Sequence, residues 1–201
     1  MPPARVLEVG CGDGELALAL DAAGYEVTAI DPAAPDGLIF RRIKLEELEE
    51  DARFDAVVAS RVFHHMGENL EPNLDRVAHA LESRGPFVLD EFGPDRLDEA
   101  TAQWYEGQRR ILAAAGHRSE RPGAEQWAQH HVSVTPSDVL LAAVRSRFDE
   151  QFSEDVPYLW RYLGGVASAE LEASLVSMGA IKPLGFRFVG MPRADASFQP
   201  V

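Results

Sequence analysis

The chain reads as an α/β protein built on a doubly wound, largely parallel sheet, and two observations lead there. Over the first 92 residues short β-type runs alternate with helical ones, and several runs are apolar throughout, as strands covered on both faces must be. A glycine-rich turn joins the first such run to the first helix. The length of 201 residues fits one domain, or one domain with a sizeable insertion.

Arg5 to Val9 is a short apolar run ended by glycines and forms the first strand. Leu16 to Ala23 is rich in Leu and Ala, with Gly24 just past its end, and predicts a helix; Glu26 to Ile30 is the second strand. These three make a βαβ unit. Leu38 to Ile43 predicts a third strand, Phe54 to Ala59 a fully buried fourth, Leu74 to Leu81 a helix, and Pro86 to Phe92 a fifth strand. After Gly93 the pattern turns helical: Leu97, Ala100, Trp104, Ile111 and Leu112 recur at helical spacing between Asp95 and Ala115, and Gly116 supplies a stop. Thr135-Pro136-Ser137-Asp138 reads as a capping box, with Thr135 as N-cap, Pro136 at the first helical position and Asp138 reaching back. That helix should run to about Arg147. Phe148 to Phe152 alternates like a strand, Ser168 can cap a helix through Met178 that ends at Gly179, and Leu184 to Met191 is a last strand. The expected organisation is a single domain over 1–201. It comprises a cofactor-binding half at 1–93, a helical insertion at 94–147, closing strands and helix at 148–192, and a tail at 193–201.

Thirty-three acidic residues against 19 Lys and Arg give a formal charge of −14, which repels polyphosphate and disfavours nucleic acid as the main substrate. The single cysteine, Cys11, excludes an internal disulfide and a cysteine-based zinc site, and fits a reducing, cytoplasmic setting. No run of about 18 apolar residues exists to span a bilayer. Met1-Pro2-Pro3-Ala4-Arg5 leads directly into the first strand with no signal-peptide layout, so the expectation is a soluble, untargeted protein.

The chemistry concentrates in Val6-Leu7-Glu8-Val9-Gly10-Cys11-Gly12-Asp13-Gly14, a strand carrying one acid and running into a glycine loop that opens a helix. Gly10 and Gly12 lack a Cβ, so the chain can turn sharply and let a ligand lie against its backbone, while the helix offers free N–H groups. Asp31 ends the next strand, 21 residues after Gly10, where a carboxylate that binds both ribose hydroxyls belongs. The alternative is a tightly packed βα turn with Asp31 capping a turn before Pro32. The spacing also separates cofactors. Glu15 occupies the place of the third glycine of a dinucleotide motif, and Glu8 suits a ligand bearing ammonium and sulfonium charge better than a pyrophosphate.

At these residues the sequence resembles the class I S-adenosylmethionine-dependent methyltransferases. The resemblance continues through Asp31, through Phe54-Asp55-Ala56-Val57-Val58-Ala59-Ser60 with His64-His65 behind it, and through Gly85-Pro86-Phe87-Val88-Leu89-Asp90-Glu91-Phe92. It implies a Rossmann-like, seven-stranded sheet of order 3-2-1-4-5-7-6 with an antiparallel C-terminal edge. S-adenosyl-L-methionine is then the cofactor and S-adenosyl-L-homocysteine the product. Carried over position by position, Gly10, Cys11, Gly12 and Gly14 form the loop around the methionine part, Glu8 organises that loop, and Asp31 binds the ribose. Pro32 packs on adenine. Many relatives place an acid near the end of the third strand for the adenine amino group; Lys44 stands there, leaving Leu45 through its backbone, or Glu46 by a shifted register. Ser60 and Arg61 follow the fourth strand, beside the expected methyl group. Many relatives also carry N-terminal helices over the substrate, so residues 95–147 are the expected cover here. Trp104, Tyr105, Arg109, Trp127, His130 and His131 could face a pocket, or serve as ordinary core and surface residues. His65 and Glu91 join Trp104, Tyr105, Trp127 and His131 as candidate acceptor contacts.

Adjacent histidines such as His64-His65 and His130-His131 point in different directions, so no metal is expected. His64 could act as a general base, or be a solvent-exposed loop histidine. The acidic run Glu46, Glu47, Glu49, Glu50, Asp51 reads as a solvated turn. The expected activity is methyl transfer to a small-molecule acceptor by direct in-line displacement, with no membrane partner. Three alternatives remain. A protein or RNA methyltransferase would use a basic groove near Arg109, Arg110, Arg118 and Arg121; a nicotinamide oxidoreductase would bind that dinucleotide; a non-catalytic S-adenosylmethionine-binding module would fail to turn over.

Overall fold

The first strand explains why the sheet is central: Arg5–Val9 (β1) buries four of its five residues, and Leu7 is fully enclosed. Such a strand needs neighbours on both edges and cover on both faces. In the computed structural model, which describes residues 1–117, 122–164 and 166–194, β1 pairs in parallel with β2 (Glu26–Ile30) and β4 (Ala56–Ser60). β3 (Phe40–Arg41) flanks β2, and β5 (Phe87–Phe92) flanks β4, both in parallel. β7 (Gly185–Pro192) then runs antiparallel between β5 and β6 (Phe148–Val156), which completes a seven-stranded sheet of order 3-2-1-4-5-7-6. The expected order and strand directions are those found.

Helices α1 (Glu15–Ala22), α2 (Leu70–Ala80) and α5 (Ser137–Arg147) follow β1, precede β5 and precede β6. The main core gathers Leu7, Val57, Phe87 and Leu89 of the sheet with Leu74, Val77, Leu140 and Val144 of the helices. A second core forms beyond the carboxyl end of β5, where α3 (Glu99–Ala114) and α4 (Ala124–His130) meet a turn at 159–162. Its members include Phe92, Tyr105, Trp127, Tyr158 and Leu184. No described helix is long and apolar enough to cross a membrane.

Several boundaries differ from expectation. The third strand keeps two residues of the expected 38–43, because Leu38 is fully exposed and the register with β2 takes in Phe40 and Arg41. α2 begins at Leu70 instead of Leu74; Pro72 lies in its first turn, where a missing N–H costs nothing. The capping box at 135–138 is a correction as well. Pro136 takes the N-cap position, and Asp138 accepts from the adjacent Val139 N. The α5 terminus is capped from outside: Asp95 accepts Ser137 N and Ser137 Oγ, both at 2.8 Å, while Arg96 Nε donates to Ser137 Oγ at 2.9 Å. α6 (Val166–Ser177) starts ahead of Ser168, which therefore lies within the helix. The segment expected as one helix from 95 to 115 starts as a tight turn at 94–96 and becomes helical at Glu99, with Asp98 accepting Thr101 N as its cap. Arg118 and Arg121 lie outside the described residues.

Glu172 of α6 locks the turn that closes the second core. Its carboxylate is fully buried and accepts Tyr158 N at 2.8 Å, Leu159 N at 3.0 Å and Trp160 N at 2.7 Å. Burial pushes this carboxyl above the ordinary range, and the three N–H donors pull against that shift. Removing the acceptor strands buried donors, which cost about 1–3 kcal/mol each when unsatisfied. With three donors stranded, Glu172→Ala is expected to lose about 3 kcal/mol or more in urea unfolding. Glu172→Gln, which retains one acceptor oxygen, should lose clearly less.

Candidate active site

The loop after β1 crosses to the end of β2, where Gly10 N and Cys11 N both donate to Ile30 O, at 2.8 and 3.2 Å. Gly10, Gly12 and Gly14 all adopt left-handed backbone, with φ of 74°, 53° and 85°. The glycines serve different needs. A Cβ on Gly10 would lie 2.6 Å from Val62, and one on Gly14 would lie 2.5 Å from the Phe40 ring, so packing forbids a side chain at both. At Gly12 no atom lies within 4 Å of that position. Its backbone faces open space, the geometry of a cradle for a ligand.

Asp31 stands beside this opening. Its Oδ2 accepts Gly12 N at 3.2 Å and its Oδ1 accepts Ala33 N at 2.7 Å, so the half-buried carboxylate is aimed by two backbone donors. Pro32 is exposed next to it. At the neighbouring strand end Lys44 is exposed, Leu45 is buried, and Glu46 Oε1 accepts from Asn73 Nδ2 at 3.1 Å. Ser60 ends β4, and Arg61 follows with φ of 55°, the one positive value among described non-glycine residues. Arg61 N donates to Asp90 O at 2.9 Å, which turns the chain across the top of β5.

Beneath the loop, Glu8 is 3% exposed and its Oε2 has no hydrogen-bond partner. Burial pushes its carboxyl up to about 7, the Ala17 N–H opposing and Asp13 adding to the rise. The Cys11 thiol is pushed up to about 11, by burial first and then by Glu8 and Asp31, so it stays an un-ionised packing group near neutral pH.

Across β4, the residues after Val62 build a second polar cluster. His64 is 3% and Glu91 1% exposed, with His64 Nδ1 at 2.8 Å from Glu91 Oε2. Glu91 Oε1 also accepts Phe63 N at 2.7 Å and His64 N at 3.4 Å, and Oε2 accepts Phe92 N at 3.3 Å. The His64 ring lies against His65, centroids 3.9 Å apart, and against Phe92, 4.5 Å apart. Phe92 stacks on Tyr158 at 4.3 Å and meets His131 and Trp127 at 5.3 and 5.9 Å. His131 Nδ1 donates to Trp127 O at 2.6 Å. Desolvation lowers the pKa of both His65 and His131, and the nearby His64 adds to each decrease.

Of the anticipated acceptor contacts, Glu91, Trp127 and His131 therefore gather around Phe92, and His65 joins them through the His64 ring. Trp104 packs at the edge of the same core with its Nε1 unpartnered. Tyr105 is 1% exposed, and its hydroxyl donates to Pro122 O at 2.9 Å, which places the ring in the core. Tyr158, Tyr162, Phe92 and Val62 were not anticipated. An open cleft of about 1060 Å³ lies elsewhere, between α3 and α4, lined by Glu99, Gln103, Glu106 and Arg109 among others. None of the loop or His64 residues lines it. Among the described residues no group of three or more His, Cys, Asp or Glu could hold a metal.

A glycine turn open at Gly12, an aimed carboxylate at the next strand end and a 3-2-1-4-5-7-6 sheet are the features of the class I methyltransferase fold. Residues 1–130 match the family model described as Methyltransferase domain, and the chain belongs to that family, the S-adenosylmethionine-dependent methyltransferases. A ubiquinone biosynthesis O-methyltransferase of Rickettsia akari (strain Hartford) is 32% identical over 98 residues, which cover 42% of this chain and 39% of the relative. The chain thus spans about two fifths of that relative's length. An S-adenosylmethionine-dependent methyltransferase from Mesorhizobium loti shares the fold at a TM-score of 0.61 and 19% identity, covering 95% of this chain and 91% of that one. So does 1,6-didemethyltoxoflavin-N1-methyltransferase of Burkholderia thailandensis with bound 1,6-didemethyltoxoflavin and S-adenosylhomocysteine. Its TM-score is 0.58 and its identity 18%, with 96% of this chain and 72% of that one covered.

The residues present fit the family's cofactor. The open face at Gly12 leaves room for it, and the orphaned Glu8 oxygen gives its cationic end a reason to sit above the loop. Glu8 also sets a pH dependence. Because its folded value of about 7 lies above the ordinary 4.5, its contribution to stability is fully present below pH 4.5 and is lost as pH rises to about 7. A cationic ligand favours the ionised form. Affinity for S-adenosylmethionine, which carries the sulfonium charge, measured calorimetrically, should therefore rise from pH 6 to 8, by at most about tenfold per unit. Glu8→Gln should flatten that slope.

Proposed function

We propose that this protein transfers the methyl group of S-adenosylmethionine to a small-molecule acceptor by direct in-line displacement. The observation that carries the reading is the position of the buried His64–Glu91 pair, two residues beyond Val62, whose side chain packs against Gly10 of the cofactor loop. A titratable pair is thereby tied to the strand that borders the cradle. Gly10, Gly12 and Asp31 would hold the cofactor, with Pro32, Leu45, Glu46 and Ser60 at its edges and Glu8 beneath it. When bound, S-adenosylmethionine supplies a methyl group already activated by the sulfonium. What the protein adds is alignment, which can supply about 7–11 kcal/mol of the barrier. Helices α3 and α4 and the turn at 159–162 would cover the acceptor, with His65, Trp104, Trp127 and His131 near it. A formal charge of −14 supports a small molecule over a nucleic acid.

Calorimetric titration with S-adenosylhomocysteine tests this reading. The parent protein should bind, and Asp31→Ala should weaken binding at least tenfold, about 1.4 kcal/mol. Absence of binding by the folded parent protein would refute it.

A further inference from the structure

We infer that the acceptor is attacked through a hydroxyl oxygen, and that Glu91 is the positioning residue that makes His64 Nε2 the base for its proton. The inference rests on the methyl-transfer reading above.

Glu91 is a buried carboxylate that no cation of the described residues pairs with; it is surrounded by N–H groups instead, from Phe63, His64 and Phe92. An ionised carboxylate accepts and cannot donate. The His64 nitrogen facing it, Nδ1 at 2.8 Å, must then carry the ring's proton. Nε2 is left as the basic nitrogen, and no hydrogen-bond partner for it exists among the described residues. The ring cannot easily turn away, because His65 and Phe92 pack on it at 3.9 and 4.5 Å. Neither neighbouring imidazole competes as a cation, since burial lowers the pKa of His65 and of His131.

Taking an imidazole and a carboxylate out of water costs several kcal/mol; the backbone N–H groups account for the carboxylate, and packing gives no reason for the imidazole beside it. The nature of the nucleophile does. A free amine or a thiolate brings a ready lone pair to a sulfonium methyl. A neutral hydroxyl is a poorer nucleophile and its proton becomes strongly acidic as the new bond forms, so a positioned base gains about 10²–10⁴ in rate. In the balanced step the acceptor oxygen forms a bond to the methyl carbon while the carbon–sulfur bond breaks, its electron pair staying on sulfur. The hydroxyl proton passes to His64 Nε2. Positive charge has moved from sulfur to the imidazole, where the Glu91 carboxylate stabilises it until the proton leaves to water.

Nitrogen-15 NMR of histidine-labelled protein tests the positioning role without any acceptor. The neutral His64 ring should carry its proton on Nδ1, and Glu91→Gln should shift it towards Nε2; a proton on Nε2 in the parent protein overturns the inference. Transfer is read separately, with ¹³C-methyl S-adenosylmethionine and the low-molecular-weight fraction of a cell extract. The carbon shift of the labelled product should be that of an O-methyl group; an N-methyl or S-methyl product overturns the acceptor assignment. With the labelled acceptor, Glu91→Gln should lower kcat at least tenfold at unchanged KM for S-adenosylmethionine. His64→Ala should lower it as far, and the double variant no further. If His64→Ala lowers kcat and Glu91→Gln does not, Glu91 has no positioning role. If the parent protein binds no S-adenosylhomocysteine, the methyl-transfer reading fails first.

Discussion

A carboxylate removed from water has to find N–H donors or a cation, and that constraint organises this molecule beyond its sheet. Glu172 meets it with three backbone donors and thereby fixes the turn that carries Tyr158 and Tyr162. Glu91 meets it with backbone N–H groups and the His64 ring, fixing the turn after β4. Asp31 meets it at Gly12 and Ala33. Glu8 does not: one of its oxygens remains orphaned beneath the glycine loop, and its carboxyl is pushed up to about 7. The unmet demand lies where the family's cationic cofactor would arrive.

The legible half of the fold is the half that local pattern determines. An apolar strand, a glycine turn and an acid at the next strand end follow one another within a few dozen residues, and each element forms for its own local reasons. The strand order came from family resemblance, because pattern alone does not say which edges pair. What escaped was set from a distance. Asp95 caps a helix 42 positions away, a role that the nearer Thr135 and Asp138 seemed to fill. Glu172 shapes a turn 12 to 14 residues earlier in the chain, and nothing in the spacing of 158–162 announces it. The first turn of α2 holds Pro72, which that position tolerates, and lies ahead of the 74–81 segment that apolar pattern marked.

The site divides in the same way. Gly12, Asp31 and Glu8 stand out in the sequence by their spacing, because the chemistry of a nucleoside ligand would prescribe it. His64 and Glu91 were each visible, but as separate candidates with different roles. Their pairing at 2.8 Å is a tertiary fact, as is the convergence of Phe92, Trp127, His131 and Tyr158 on the same corner. Fold alone leaves function open, and these particular groups narrow it.

A crystal structure with S-adenosylhomocysteine bound tests the central claim, that the cradle and the imidazole–carboxylate pair serve one reaction. The account predicts the ribose hydroxyls on Asp31 and the sulfur turned towards His64 Nε2 across a space that one acceptor group would fill. A sulfur facing away from His64, or an Nε2 sealed against protein with the ligand in place, would contradict it.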